Sequence, residues 1–213
     1  MAITEQSASP FFKEPKPASV RLWHWLVFLF FLASVTTVVF ASTLFRTRDN
    51  VTMVQDLVKE RGGTVTPEQA RNVAHEYSDK FWMLHKYIGF GLSILMLWRI
   101  LIEVSLSKQK KIATRIRNAT NFPRSGDEKT HYLTVQYAYV VFYAMFFFMA
   151  LTGLVLAFED WKWLDPVHGA AKQIHSIIQW GLYAYMIFHI AGVIRADMTK
   201  YGGIVSRMIN GKA

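Results

Sequence analysis

Four long apolar segments alternate with charged segments along the chain. Three of them lack charged residues over 24, 29 and 22 positions, and the fourth carries only Lys86 and Arg99, near its ends. A helix needs about 20 apolar residues to cross the hydrocarbon core of a bilayer, and each segment is long enough. We therefore predict an all-α, integral membrane four-helix bundle with spans at about 22–45, 81–102, 132–158 and 173–194.

The segments around these spans divide the chain into a tail at 1–20, a membrane domain at 21–197 and a second tail at 198–213. The first span is followed by Thr-Leu-Phe-Arg at 43–46, which lacks the small residues of a signal-peptide cleavage site. We therefore expect this span to remain part of the protein.

The 46–80 loop between the first two spans is predicted to be folded. Asn50 is a candidate N-cap for a short helix that ends near Gly62. The residues from Thr66 to Gln69 combine a helix N-cap, a first-turn proline and a capping-box glutamine. A second helix is expected to start there and to lead into the second span.

The charge distribution predicts the orientation of the bundle. The chain has 24 Lys and Arg against 15 Asp and Glu, a net charge of +9 that by itself suggests nucleic acid or an anionic surface. The segments 1–21, 104–129 and 195–213 hold 14 of the basic and 5 of the acidic residues, whereas the 46–80 and 159–172 loops hold 8 and 9. The positive-inside rule then places both termini and the 104–129 loop of a multi-pass membrane protein in the cytoplasm. The charge reports orientation, and no nucleic-acid partner is expected.

The chain contains no cysteine. This excludes disulfides, thiolate zinc sites, iron–sulfur clusters and covalently attached haem. Histidine is therefore the candidate metal ligand.

Four of the seven histidines fall inside the predicted spans: His24, His85, His175 and His189. An ionisable side chain in a membrane is a functional candidate because it is costly to place there. His175 and His189 are 14 residues apart, so they share one helix face about 21 Å apart along the axis. With the predicted topology, His85 and His175 lie near the outer surface, and His24 and His189 lie near the inner surface.

Two pairs of facing imidazoles suit two non-covalent b-type haems, each with two axial histidines. Zinc fits less well because no acidic residue is available to complete its ligand set. Gly89 and Gly192 follow the histidines at helical spacing and leave room for a flat macrocycle, although helix packing explains them equally well. Arg99 is the best candidate to neutralise a haem propionate. Three other cations are also candidates for this role, and the alternative is that they anchor the ends of the spans: Arg21, Lys86 and Arg195.

Several of these patterns resemble the bacterial cytochrome b561 and Ni/Fe-hydrogenase b-type cytochrome family, whose plan the gamma subunit of formate dehydrogenase shares. They are the Arg-Leu-Trp-His-Trp run at 21–25, the run from His85 to Arg99, the Leu-Thr-Gly-Leu at 151–154 and the His175–His189 spacing. The resemblance covers about 20–197. It implies a four-helix, di-haem subunit of the bacterial inner (plasma) membrane that passes electrons between a quinone and a soluble partner. His85 and His175 would then hold the outer haem, and His24 and His189 the inner one.

The resemblance leaves the partner and the enzymatic status open. A hydrogenase, a dehydrogenase or a c-type cytochrome would each fit a respiratory chain, and the 46–80 loop, long for the short b561 type, is a candidate docking surface on the periplasmic side. The chain is either an electron-transfer subunit or a stand-alone quinone oxidoreductase, and oligomer formation is also open. His131, at the inner mouth of the third span, is a candidate for a quinone or proton role. The alternative of another class is a haem-free transporter, channel or anchor subunit whose histidines line a polar path.

Overall fold

The structure, a computed structural model, describes residues 16–121, 127–198 and 203–211. Most of the predicted first tail and part of the second lie outside these residues. Within the described residues the chain is all-helical, which confirms the predicted fold class. The helices are α1 (Ala18–Ser42), α2 (Thr47–Glu60), α3 (Pro67–Ser105), α4 (Ile112–Thr120), α5 (Asp127–Ala157), α6 (Asp165–Asp197) and α7 (Ile204–Asn210).

Helices α1, α3, α5 and α6 are long and apolar enough to cross a membrane, as predicted. In each of them less than a quarter of the most apolar stretch is buried inside the protein. Their remaining surface is therefore apolar and needs lipid or another nonpolar neighbour as its cover. We call the end of the bundle where α1 begins the inner end, and the opposite end the outer end.

Local signals explain how the outer loop folds. The Thr66 side chain accepts a hydrogen bond from the Gln69 backbone, and the Gln69 side chain accepts one from the Thr66 backbone, which confirms the capping box. Helix α3 then continues without a break into the second span. Gly62 adopts φ 77° just after α2, as a residue that ends a helix often does.

The predicted role of Asn50 is wrong. Helix α2 begins at Thr47, so Asn50 lies in its first turn. Its Nδ2 donates to the carbonyls of Leu44 and Arg46, each at 2.9 Å, and so holds the turn between α1 and α2. The short side chain stabilises the preceding backbone rather than the start of the helix.

The four spanning helices pack in sequence: α1 against α3, α3 against α5 and α5 against α6. Helix α6 has no comparable packing against α1 or α3 within the described residues. A core cluster fills the middle of the bundle and draws on all four helices: Trp23, Val27, Phe31, Leu92, Leu95, Met96, Phe146 and Leu182. Leu182 is seven residues from both His175 and His189, so this core separates the two histidine levels.

Two short helices are attached at the inner end. Helix α4 is held by a hydrogen bond from the Ile112 backbone to Glu103 Oε1, at 2.8 Å. Helix α7 is held by the Trp25 indole, which donates to the Met208 carbonyl at 3.2 Å. The Asp197 side chain also accepts from the Ile204 backbone and stabilises the first turn of α7.

Candidate functional site

The inner pair of histidines meets across the space between α1 and α6. The ring centres of His24 and His189 are 6.2 Å apart. Metal–imidazole bonds of about 2 Å on both sides of one iron, together with the half-width of each ring, place two ring centres about 6 Å apart. The His24 Nδ1 atom is buried and has no hydrogen-bond partner among the described residues.

The outer pair is placed by α3 and α6. His85 and His175 lie close enough to interact electrostatically. His85 Nδ1 is 3.2 Å from Thr37 Oγ1 and His175 Nδ1 is 3.0 Å from Thr152 Oγ1. Both rings are thus fixed through Nδ1 by hydroxyl groups on neighbouring helices, which leaves Nε2 of each ring free to ligate a metal.

Helix α6 carries one histidine of each pair and is the span least covered by protein. Only 6% of its most apolar stretch is buried, compared with 22% in α1 and α3. Because α6 packs mainly on α5, the face of α6 that carries His175 and His189 lies opposite α1 and α3 without packing directly on them. The two levels therefore open into the same space between the helices.

Two of the proposed propionate cations, Arg99 and Lys86, are already engaged by protein groups. Arg99 is buried, and it donates to Tyr143 Oη at 3.0 Å and to Glu103 Oε2 at 2.9 Å, whereas its Nη1 has no partner among the described residues. Lys86 donates to Glu159 at the outer end. This hydrogen bond and the attraction of the ammonium group hold the pKa of Glu159 below its ordinary value.

The other histidines show less specific environments. His75 is exposed and pairs with Asp79 one turn later, at 2.9 Å. His168 lies in the outer loop region near Glu159. Neither contacts the two histidine pairs in the described structure.

Comparison with known proteins places the chain in a family. Residues 17–211 match the family model described as prokaryotic cytochrome b561, which is nearly the whole chain. The chain belongs to the prokaryotic cytochrome b561 family. No curated protein and no solved structure gives a significant match. Membership makes the chain a membrane-bound b-type cytochrome that acts in electron transfer, and it counts against the haem-free alternatives.

The residues present fit the b-type haem that the cytochrome b561 family implies. A Cβ atom added at Gly89 or Gly192 would meet no atom within 4 Å, so neither glycine is needed for helix packing. Open space therefore lies one turn from His85 and from His189. The described residues contain no group of three or more His, Cys, Asp or Glu side chains that could hold a metal ion, which fits histidine pairs better than a zinc site.

Sequence reasoning missed the hydroxyl groups around the outer pair. Ser34 and Thr37 are polar residues inside the apolar run of α1, and Thr152 belongs to the Leu-Thr-Gly-Leu motif. A Cβ atom on Gly153 would lie 3.2 Å from the His175 ring, so this glycine lets α5 approach the histidine closely. In the sequence this motif contributes only to the family resemblance, whereas in the structure its central two residues both border His175.

Proposed function

We propose that this cytochrome b561 is a di-haem protein that relays electrons between the quinone pool and a redox partner in a bacterial respiratory chain. The observation that carries the proposal is the 6.2 Å spacing of the His24 and His189 rings, with a second histidine pair at the other end of α6. We assign the outer haem to His85 and His175 and the inner haem to His24 and His189.

Each histidine pair would hold one haem through two imidazoles and would leave no open position on its iron. This arrangement suits electron transfer rather than binding of oxygen or chemistry on a substrate. When bound, a haem supplies an iron that accepts and releases one electron. The protein holds the two sites at different depths of the membrane, and the apolar core with Trp23 and Phe146 excludes water between them.

Arg99 is the protein group at the inner site that would balance the negative charge of a haem propionate. Arg99 lies over the Tyr143 ring at 4.7 Å and near the Trp23 ring at 5.9 Å. Trp23 precedes His24 on α1, so the Arg99 charge lies near the inner histidine pair. Its unpartnered Nη1 is the donor left for a haem propionate. Gly89 and Gly192 line the outer and inner haem faces in this assignment.

The charge pattern supports cytoplasmic N and C termini in the bacterial inner membrane. The hairpin of α2 and the first turns of α3 then projects on the periplasmic side. It exposes apolar side chains that would suit a redox partner: Met53, Leu57, Val73 and Tyr77. A hydrogenase, a dehydrogenase or a c-type cytochrome would bind there, and the quinone would enter from the bilayer.

The haem content of the purified protein tests the proposal. We expect a pyridine haemochrome spectrum of protohaem with about two haems per chain, since two histidine pairs are present. The same preparation should be reduced by a short-chain quinol. A stoichiometry near one haem per chain, or no protohaem, contradicts the di-haem assignment, and full haem without quinol reduction contradicts the quinone link.

Variants at two glycines on α3 distinguish space reserved for haem from close packing between helices. Gly89→Ala should lower the haem content, because the added methyl meets nothing in the protein but would meet the outer haem. Gly91→Ala should instead weaken the fold by about 1–3 kcal/mol, because its methyl would overlap the Phe30 ring on α1. Haem per chain and thermal unfolding, measured on both variants, check this. A Gly89→Ala protein with full haem content would show that the space beside this residue holds no haem.

A further inference from the structure

The outer histidines are bonded to hydroxyl groups from helices other than their own. His85 on α3 meets Ser34 Oγ at 3.3 Å and Thr37 Oγ1 at 3.2 Å, both on α1. His175 on α6 meets Thr152 Oγ1 on α5 at 3.0 Å. Each contact involves Nδ1 of the imidazole. The two rings are thus held from their far sides by neighbouring helices.

The direction of these hydrogen bonds follows from the hydroxyl protons. Thr37 Oγ1 donates to the Ser34 carbonyl at 2.7 Å, and Thr152 Oγ1 donates to the Phe148 carbonyl at 2.7 Å. A hydroxyl group has one proton, so each threonine oxygen can only accept from the histidine. Both Nδ1 atoms are therefore donors, and each neutral ring keeps its free lone pair on Nε2.

The inner pair has a different environment. His24 Nδ1 is buried without a partner among the described residues. His189 stacks on the Tyr185 ring, with the ring centres 5.9 Å apart and nearly parallel planes. The hydroxyl contacts thus distinguish the outer level from the inner one.

We propose that Thr37 and Thr152 are positioning residues that fix His85 and His175 as Nδ1–H tautomers and lower the reduction potential of the outer haem. The proposal rests on the assignment of the outer haem under the proposed function. Hydrogen bonding at Nδ1 makes Nε2 a more basic ligand, and a more basic ligand stabilises ferric over ferrous iron. It also orients each ring, so that Nε2 points away from the supporting helix.

The test uses Thr37→Val, Thr152→Val and their combination, each purified with haem and titrated against potential while the visible absorption is recorded. Valine keeps the shape of threonine and removes the hydroxyl group. We expect the midpoint of the outer haem to shift upward in each single variant and farther in the combination, with the inner midpoint unchanged. The outer component is identified as the one lost in His85→Ala.

The chain offers matched controls. Thr36 is next to Thr37 but exposed, and its hydroxyl donates to the Leu32 carbonyl of its own helix at 2.8 Å. Thr134 on α5 bonds the Thr130 carbonyl in the same way. Thr36→Val and Thr134→Val should leave both midpoints unchanged. Thr37→Ser and Thr152→Ser retain a hydroxyl group and should stay near the wild-type potential.

The outcomes separate this proposal from the proposed function. Two haems with an unshifted outer midpoint in both valine variants would overturn the role of the hydroxyl groups, as would equal shifts in valine and serine variants. Loss of the outer haem in Thr37→Val with retention in Thr37→Ser supports the role, whereas loss in both counts against it. A chain with one haem, or two redox components that both survive His85→Ala, would instead refute the haem assignment.

Discussion

Replacing His85 or His175 by alanine should remove the outer haem and reduce the haem content from about two to about one per chain. The two histidines come from α3 and α6 and lie within electrostatic range of each other. An iron that loses one of two axial ligands is held more weakly and keeps an open position. The haemochrome assay gives the stoichiometry, and a redox titration shows which component is lost.

The complementary variants test the pairing. His24→Ala and His189→Ala should both remove the inner component, because these rings face each other at 6.2 Å. His75→Ala is the matched control, since His75 is exposed and paired with Asp79 outside the bundle. If His85→Ala and His175→Ala removed different components, the pairing by level would be wrong, although both haems could still be present.

The spans could be predicted from sequence because the bilayer imposes a simple requirement. The hydrocarbon core has a fixed thickness and excludes charged side chains, so a spanning helix can be recognised from its own length and composition. Four segments of the chain meet both criteria. The capping box at Thr66 was also predictable, because its partner Gln69 lies within the same turn. The position of Asn50 was not, because its acceptors at Leu44 and Arg46 depend on where α1 ends.

The surroundings of the histidines depend on packing between helices. Thr37 and Thr152 meet His85 and His175 only because α1 and α5 have particular rotations against α3 and α6. The sequence shows that a threonine interrupts an apolar run, but it does not show which helix the hydroxyl group faces. The Arg99–Glu103 ion pair, in contrast, could have been predicted from the sequence, because a spacing of four residues on one helix is a local signal.

This ion pair is expected to be the largest electrostatic contribution to stability in the described part of the bundle. The Arg99 side chain is 8% exposed and the Glu103 side chain 29% exposed, at a separation of 2.9 Å. Glu103 also accepts from the Ile112 backbone at 2.8 Å and so attaches α4 to the end of α3. One carboxylate thus compensates a buried guanidinium and holds the inner loop.

Glu103→Gln should therefore destabilise the protein by about 3 kcal/mol or more, because it removes the protein carboxylate that compensates the buried Arg99 charge. Thermal unfolding and denaturant titration of the haem-loaded protein in detergent measure this loss. Glu159→Gln is the matched control: it removes the same charge from the exposed pair with Lys86, whose side chains are 55% and 40% exposed. Such surface pairs contribute about 0–1 kcal/mol.

A double variant distinguishes a buried charge from a lost contact. Combining Arg99→Met with Glu103→Gln removes the uncompensated guanidinium, so part of the stability lost in Glu103→Gln should return. Helix α4 would remain more weakly attached in both variants, because the Ile112 backbone then donates to a neutral amide oxygen instead of a carboxylate. Equal, small losses in Glu103→Gln and Glu159→Gln would show that the Arg99 charge does not depend on Glu103, because water or a haem propionate compensates it.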